Sequence, residues 1–155
     1  GCKPTDRARR HVVLSGDMSH RLLDPVTQVE LIVPDGISDA DAIKHAALRR
    51  AGKLRRLRLS PEWGTGCFLF SDGGGADPEH FNITPNMADR LRNWAGRWEE
   101  LGNPFTECTD LDVLDTWCQQ GLTLAIELQR ELYMTTVVVP EFGGLRGSGW
   151  EFSQP

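Results

Sequence analysis

The stretch TPNMADRLRNWAGRWEEL, residues 84–101, decides the fold. Thr84 is a good N-cap, and Pro85 suits the first helical position, where its missing N–H is not needed. Met87, Leu91, Trp94, Trp98 and Leu101 follow at spacings of four, three, four and three, so five large apolar side chains share one face. Gly102 ends the run and Asn103-Pro104 bars its continuation. Asp110 then caps a second helix, in which Leu111, Leu114, Cys118, Leu122, Ala125, Leu128 and Leu132 repeat the pattern, with Trp117 at the edge of the stripe. Two such stripes need a partner layer, which the flanking segments supply.

Working outward, Thr135–Val139 is a β-branched strand stopped by Pro140, and Cys67–Phe70 is a short apolar strand. Leu54–Leu59 alternates apolar and cationic residues over its second half, which fits a strand with one wet face. Gly73–Gly75 reads as a loop. Upstream, Ser38 caps a helix with Asp39 and Asp41 in its first turn and Ile43, Ala46, Ala47 and Arg50 along one face. Val26–Val33 is a strand, joined through Asp24-Pro25 to a strand at His11–Leu14. The order is β-β-α-β-β-α-α-β. It predicts a single α+β domain over 11–142, with a mixed, largely antiparallel sheet of four or five short strands. Three helices, near 38–51, 85–101 and 110–133, pack on it. Residues 1–10 are expected to be flexible, residues 143–155 form a Gly-rich tail carrying Trp150 and Phe152, and a seam is expected near Lys53. Met87, Leu91, Trp94, Trp98, Leu114, Cys118, Leu122, Ala125 and Leu128 are the expected core.

Chemistry is sparse in this pattern. The four cysteines (Cys2, Cys67, Cys108, Cys118) are scattered without a Cys-x-x-Cys pair, so a disulfide framework or zinc site is not expected, and Cys67 and Cys118 read as buried packing. Asp17…His20 and Asp77…His80 share a spacing but sit in no metal motif. Gly73–Gly75 lacks the Lys-Ser/Thr and following helix of a phosphate loop, and Asp77 and Glu79 beside it would repel phosphate. No cofactor, metal or catalytic residue is expected, and a small enzyme of unrecognised class stays as a further alternative with no advocate among these residues. No apolar stretch reaches the roughly 18 residues of a membrane span, and Gly1–Pro4 lacks an apolar leader. The expected compartment is the cytoplasm.

Charge is the remaining signal. Residues 1–58 carry 12 Lys and Arg against 7 Asp and Glu, net +5, whereas residues 71–115 carry 10 acids against 3 arginines, net −7. The acidic segment suits a protein partner with a basic surface. Asp72, Asp77 and Glu79, with Glu107, Asp110, Asp112 and Asp115, are its candidate contacts, and Trp63 is a candidate aromatic anchor. The alternative is a nucleic-acid strip of Arg49, Arg50, Arg55, Arg56 and Arg58, although no aromatic or amide residue is interleaved with these cations and the whole chain is acidic, so nucleic acid is not the expected partner.

The block Glu62–Phe70, then Ile83-Thr84-Pro85, Leu91–Trp94 and Trp98-Glu99, then Gly121-Leu122, Ala125, Leu128-Gln129 and Leu132, resembles small acidic proteins of high-GC bacteria whose function is unassigned. The resemblance covers residues 54–142. In size and acidity such proteins are similar to the immunity partners of bacterial toxins, which implies a non-catalytic inhibitor of a basic toxin or enzyme.

Overall fold

A computed structural model describes residues 19–102 and 110–142, together with the backbone of 145–146. The strand expected at 11–14, the N-terminal ten residues, Glu107, Cys108, Trp150 and Phe152 lie outside the described residues. The elements are β1 (His20–Leu23), β2 (Glu30–Val33), α1 (Asp39–Arg50), β3 (Arg55–Leu59), β4 (Leu69–Ser71), β5 (Gly74–Gly75), a 3-10 turn (Pro78–Phe81), α2 (Pro85–Gly96), α3 (Trp98–Leu101), α4 (Leu111–Glu131), β6 (Thr136–Phe142) and β7 (Leu145–Arg146). The arrangement is α+β, with two sheets where one was expected. β1 and β2 form an antiparallel pair of their own, and the larger sheet has the order β5-β4-β3-β6-β7. Only β3 and β6 run parallel, in the register Arg55↔Thr136 to Leu59↔Pro140.

The main core is built on α2 and α4. Thr84 at the start of α2 bonds Glu131 at the end of α4, and Trp94 near the end of α2 meets Trp117 near the start of α4, so the two helices are antiparallel. The Trp94 and Trp117 indoles stack at 4.5 Å and 9°. Each indole N–H donates to the other residue's carbonyl, at 2.8 and 2.9 Å. This reciprocal pairing turns Trp117 inward, to 1% exposure, and leaves Cys118 and Leu114 half-buried. Here the expectation of Cys118 in the core and Trp117 at the edge is corrected. The two residues are one position apart, and the indole pairing decides between them. Trp98 stacks on the outer side of Trp117 at 4.8 Å and is half-buried rather than central.

The single helix expected over 85–101 is broken. Gly96, a poor helix former, ends α2, and Arg97 N–H reaches back only three residues, to Trp94 O. The tightened turn re-aims α3 so that Trp98 reaches Trp117. Gly102 then lies against Trp98: a Cβ there would stand 2.1 Å from the indole.

Three strand expectations also shift. Cys67 does not open β4 but is exposed ahead of it. The glycine triplet is not a free loop, because Gly74 and Gly75 pair with Ser71 and Phe70 in a hairpin whose Gly74 φ of +107° excludes most side chains. Pro140 does not stop β6, and the reason is parity. Thr135 O accepts Arg55 N–H, so residues 135, 137 and 139 face β3, and residues 136, 138 and 140 face the other edge. On that edge, among the described residues, β7 pairs with Glu141 and Phe142. Gln129 of α4 fills the gap, its amide donating to Thr136 O and accepting from Val138 N–H, both at 2.8 Å. Pro140, which lacks an N–H, falls on this edge and not on the one that pairs with β3, so its place in the strand breaks no β3–β6 hydrogen bond.

Upstream, the expected strand Val26–Val33 is shortened to Glu30–Val33. Asp24 forms an Asx turn, its carboxylate accepting from Val26 N–H at 2.9 Å, and Gln28 adopts a φ of 60°. Residues 24–29 are consequently a turn, and His20–Leu23 is the partner strand. α1 starts as expected, with Ser38 Oγ accepting from Asp41 N–H. Its buried face is Ala42 and His45, one position away from the expected Ile43, Ala46, Ala47 and Arg50, and Ala47 is exposed. The rotation brings His45 onto Tyr133, in the turn between α4 and β6, with ring centroids 4.1 Å apart.

Candidate partner-binding surfaces

The acidic candidates fall into two groups. Asp77 and Glu79 lie in the turn before Thr84, where Arg55 also bonds His80 O, and hence at the Glu131 end of α4. Asp110, Asp112 and Asp115 lie at the opposite end, about 30 Å away along a helix of this length. Several have local work. Asp77 accepts from Glu79 N–H, Asp110 caps α4 through Asp112 and Val113 N–H, and Asp115 accepts from Gln119. Asp72 is exposed in the β4–β5 turn. Trp63 is half-buried, and its indole donates to Glu99 O at 2.9 Å while Gly64 N–H donates to the Glu99 carboxylate. Its polar edge is thus spent on tying the 60–67 loop to α3.

The basic strip is largely engaged within the molecule. Arg50 pairs with Asp24 at 2.9 Å, and Arg58 pairs with Glu141 at 3.3 Å and lies over Phe70. Arg55 donates to His80 O at 2.7 Å and sits 3.7 Å above the Phe81 ring. Arg49 and Arg56 complete the set, Arg49 half-buried and Arg56 exposed on β3. Arg55 therefore has a structural role. Replacing it by Ala is expected to cost about 1 kcal/mol of stability, measured by urea denaturation, because a cation–π contact and a charged hydrogen bond are lost at a partly wet site.

Asp24 is the one fully buried carboxylate among the described residues, and its pKa is held below the usual carboxylate value by the Val26 N–H bond, with burial opposing and Arg50 assisting. The Cys118 thiol is pushed up to about 11 by burial and then by Asp115, which disfavours a thiolate. Among the described residues, no group of three or more His, Cys, Asp or Glu gathers as a metal site, and no helix is long and apolar enough to cross a membrane. An open groove of about 470 Å³ runs between α2 and α4, lined by Arg90, Arg97, Asn93 and Gln120 above Trp94 and Leu124. Arg90 is already paired with Glu127.

The surface that sequence reasoning missed is the β1–β2 hairpin. Of the large hydrophobic side chains exposed among the described residues, four lie here: Leu23 (56%), Val26 (72%), Val29 (39%) and Ile32 (37%). In the register of the pair, Arg21 opposes Ile32 and Leu23 opposes Glu30, which puts Leu23 and Ile32 on the outer face beside an Arg21–Glu30 ion pair. Leu22, Leu31 and Val33 take the other face, which packs toward α1. Val26 and Val29 extend the apolar surface into the turn. The available signal was the three-residue spacing 23, 26, 29, 32, which fits neither a strand nor a helix.

No family model, curated protein or solved structure matches this chain.

Proposed function

We propose that the chain is a protein-binding module whose contact is centred on the outer face of the β1–β2 hairpin, and that its partner presents an apolar surface. The observation that carries this reading is the collection of Leu23, Val26, Val29 and Ile32 on one exposed hairpin. Scattered surface apolars are ordinary, whereas a contiguous set bounded by charged residues is the usual composition of a contact centre. Among the described residues the two-stranded sheet also has outer edges that can take an added strand.

The narrower form of the reading is a cytoplasmic immunity or inhibitor protein acting on a basic toxin or enzyme. In that form the division of labour is physical. The acids at 72–79 and 110–115 steer a cationic partner and set the association rate, and the hairpin sets the lifetime of the complex.

The test is affinity purification from the native host, followed by binding kinetics of the recovered partner against purified variants. Val26→Asp/Ile32→Asp is expected to leave the melting temperature within a few degrees of wild type, since neither side chain is in the core, and to weaken binding at least about 30-fold through dissociation. Charge reversal at Asp77, Glu79, Asp110 and Asp112 is expected to slow association alone. An unchanged dissociation rate in the hairpin variant, or a self-associating chain that the same variant disperses, would overturn the proposal.

A further inference from the structure

The residues before Lys53 stand apart from the main core. That core is a contiguous cluster running from Leu57 to Phe142, and no side chain of residues 19–53 belongs to it. The ββα unit is tied internally instead: Asp24 to Arg50 between the hairpin turn and the end of α1, and His20 to Asp39 between β1 and the start of α1. Across the seam to the rest of the molecule stands an aromatic contact, the His45–Tyr133 stack, nearly parallel at 15°. His45 is 2% exposed and its Nε2 has no hydrogen-bond partner. Among the described residues, no carboxylate bonds that nitrogen to receive a second proton's charge.

We propose that the His45–Tyr133 stack is a proton-sensitive latch, which holds the N-terminal ββα unit against the main core when His45 is neutral and releases it when His45 is protonated. The inference goes beyond the binding proposal and does not depend on it.

The groups around the latch differ in sign: Asp41, one turn before His45 on α1, favours a charge there, whereas burial and Arg49 oppose it and prevail. Arg49, one turn along α1, opposes a charge on His45, and burial opposes it more strongly, together holding the pKa down from 6.5 to about 4. Tyr133, across the seam, is pushed up to about 12 by burial and by Asp41, so it stays a neutral phenol throughout. Asp41 acts on Tyr133, and Arg50 is occupied by Asp24. The second histidine of the unit, His20, pairs with Asp39 inside the unit and away from the seam.

Opened, His45 regains an ordinary affinity for protons; closed, it does not. The latched state is therefore at full strength above pH 6.5 and weakens as pH falls toward 4. With these two values, the opening equilibrium rises about 30-fold between pH 7.5 and pH 5.

The experiment is amide hydrogen exchange on the whole chain at both pH values, corrected for the intrinsic pH dependence of exchange. Opening of the α1 amides is expected to rise about 30-fold at pH 5, while the amides of α4 from Leu122 to Leu128 change less than about 3-fold. In His45→Phe, which keeps a ring on Tyr133 and cannot titrate, the α1 change should vanish. An independent reading comes from an NMR titration of the wild-type imidazole, with an expected midpoint below pH 5. A midpoint near 6.5, an α1 response that persists in His45→Phe, or parallel loosening of α4 would each overturn the latch.

Discussion

Trp117→Ala is expected to leave the protein unfolded, or nearly so, at 37 °C. Truncating a fully buried tryptophan costs about 3–5 kcal/mol through lost burial and the cavity left behind. Trp117 carries more than area, because its indole N–H satisfies Trp94 O in the interior and its ring is the middle layer of a Trp94–Trp117–Trp98 stack. Losing that bond, which leaves Trp94 O only the longer one from Arg97 N–H, adds about 1 kcal/mol, and the total approaches the whole stability of a marginal domain. Trp98→Ala, at a half-buried ring with no such bond, should cost clearly less, about 2 kcal/mol. Urea denaturation of the two variants side by side tests the ranking. Equal losses, or a Trp117→Ala loss under about 1 kcal/mol, would show that the stack does not organise the core.

That ranking reverses the one the stripe suggests, and the reversal shows where sequence legibility ends. Caps and spacings carry the helices: Thr84-Pro85, Asp110 and Ser38 each mark a start that the structure keeps. A 3.6-residue period does not distinguish Trp117 from Cys118 as the deeper residue, because either can lie within a broad apolar stripe. The decision comes from two hydrogen bonds to carbonyls 23 residues away. Pro140 is similar. Its local rule is to end a strand, and only the edge it faces reveals that its missing N–H takes nothing from the β3–β6 ladder. The candidate surfaces follow the same division. The charges at 71–115 are plain in the sequence, but their separation to opposite ends of α4 depends on the antiparallel packing of α2. The hairpin face was hidden because Val26 and Val29 read as strand interior until the Asx turn at Asp24 is in place.

The hairpin and the latch lie on one structural unit, and their consequences are linked. A face carried on a part of the chain that owes little to the main core can tilt or detach without unfolding that core. A partner that binds the hairpin only while the unit is docked would be released as pH falls toward 5. A partner that binds the unit alone would not. The His45→Phe variant separates these cases, since it removes the proton dependence and leaves Leu23, Val26, Val29 and Ile32 in place.

Gly121→Ala is expected to destabilise the protein by about 2–4 kcal/mol, against the direction of helix propensity. Alanine inside a helix is favoured over glycine by about 0.5–1 kcal/mol. At Gly121, however, a Cβ would stand 2.2 Å from Trp94 Cζ2 and 2.7 Å from Phe142 Cζ. Neither ring has room to give. Trp94 is fixed by two hydrogen bonds and by its stack on Trp117, and it meets Phe142 edge-on at 4.9 Å. Moving Trp94 breaks the reciprocal pair, and moving α4 away opens the core along its length, so overpacking outweighs the propensity gain. Gly96→Ala is the matched control. Gly96 is exposed at the end of α2, and nothing lies within 4 Å of the added methyl, so propensity alone should act and stability should rise by up to about 0.5–1 kcal/mol. Thermal melts with near-ultraviolet circular dichroism, which reads the tryptophan stack directly, should move in opposite directions for the two alanines. If both variants melt together, close helix–helix approach at Gly121 is not what seats Trp94.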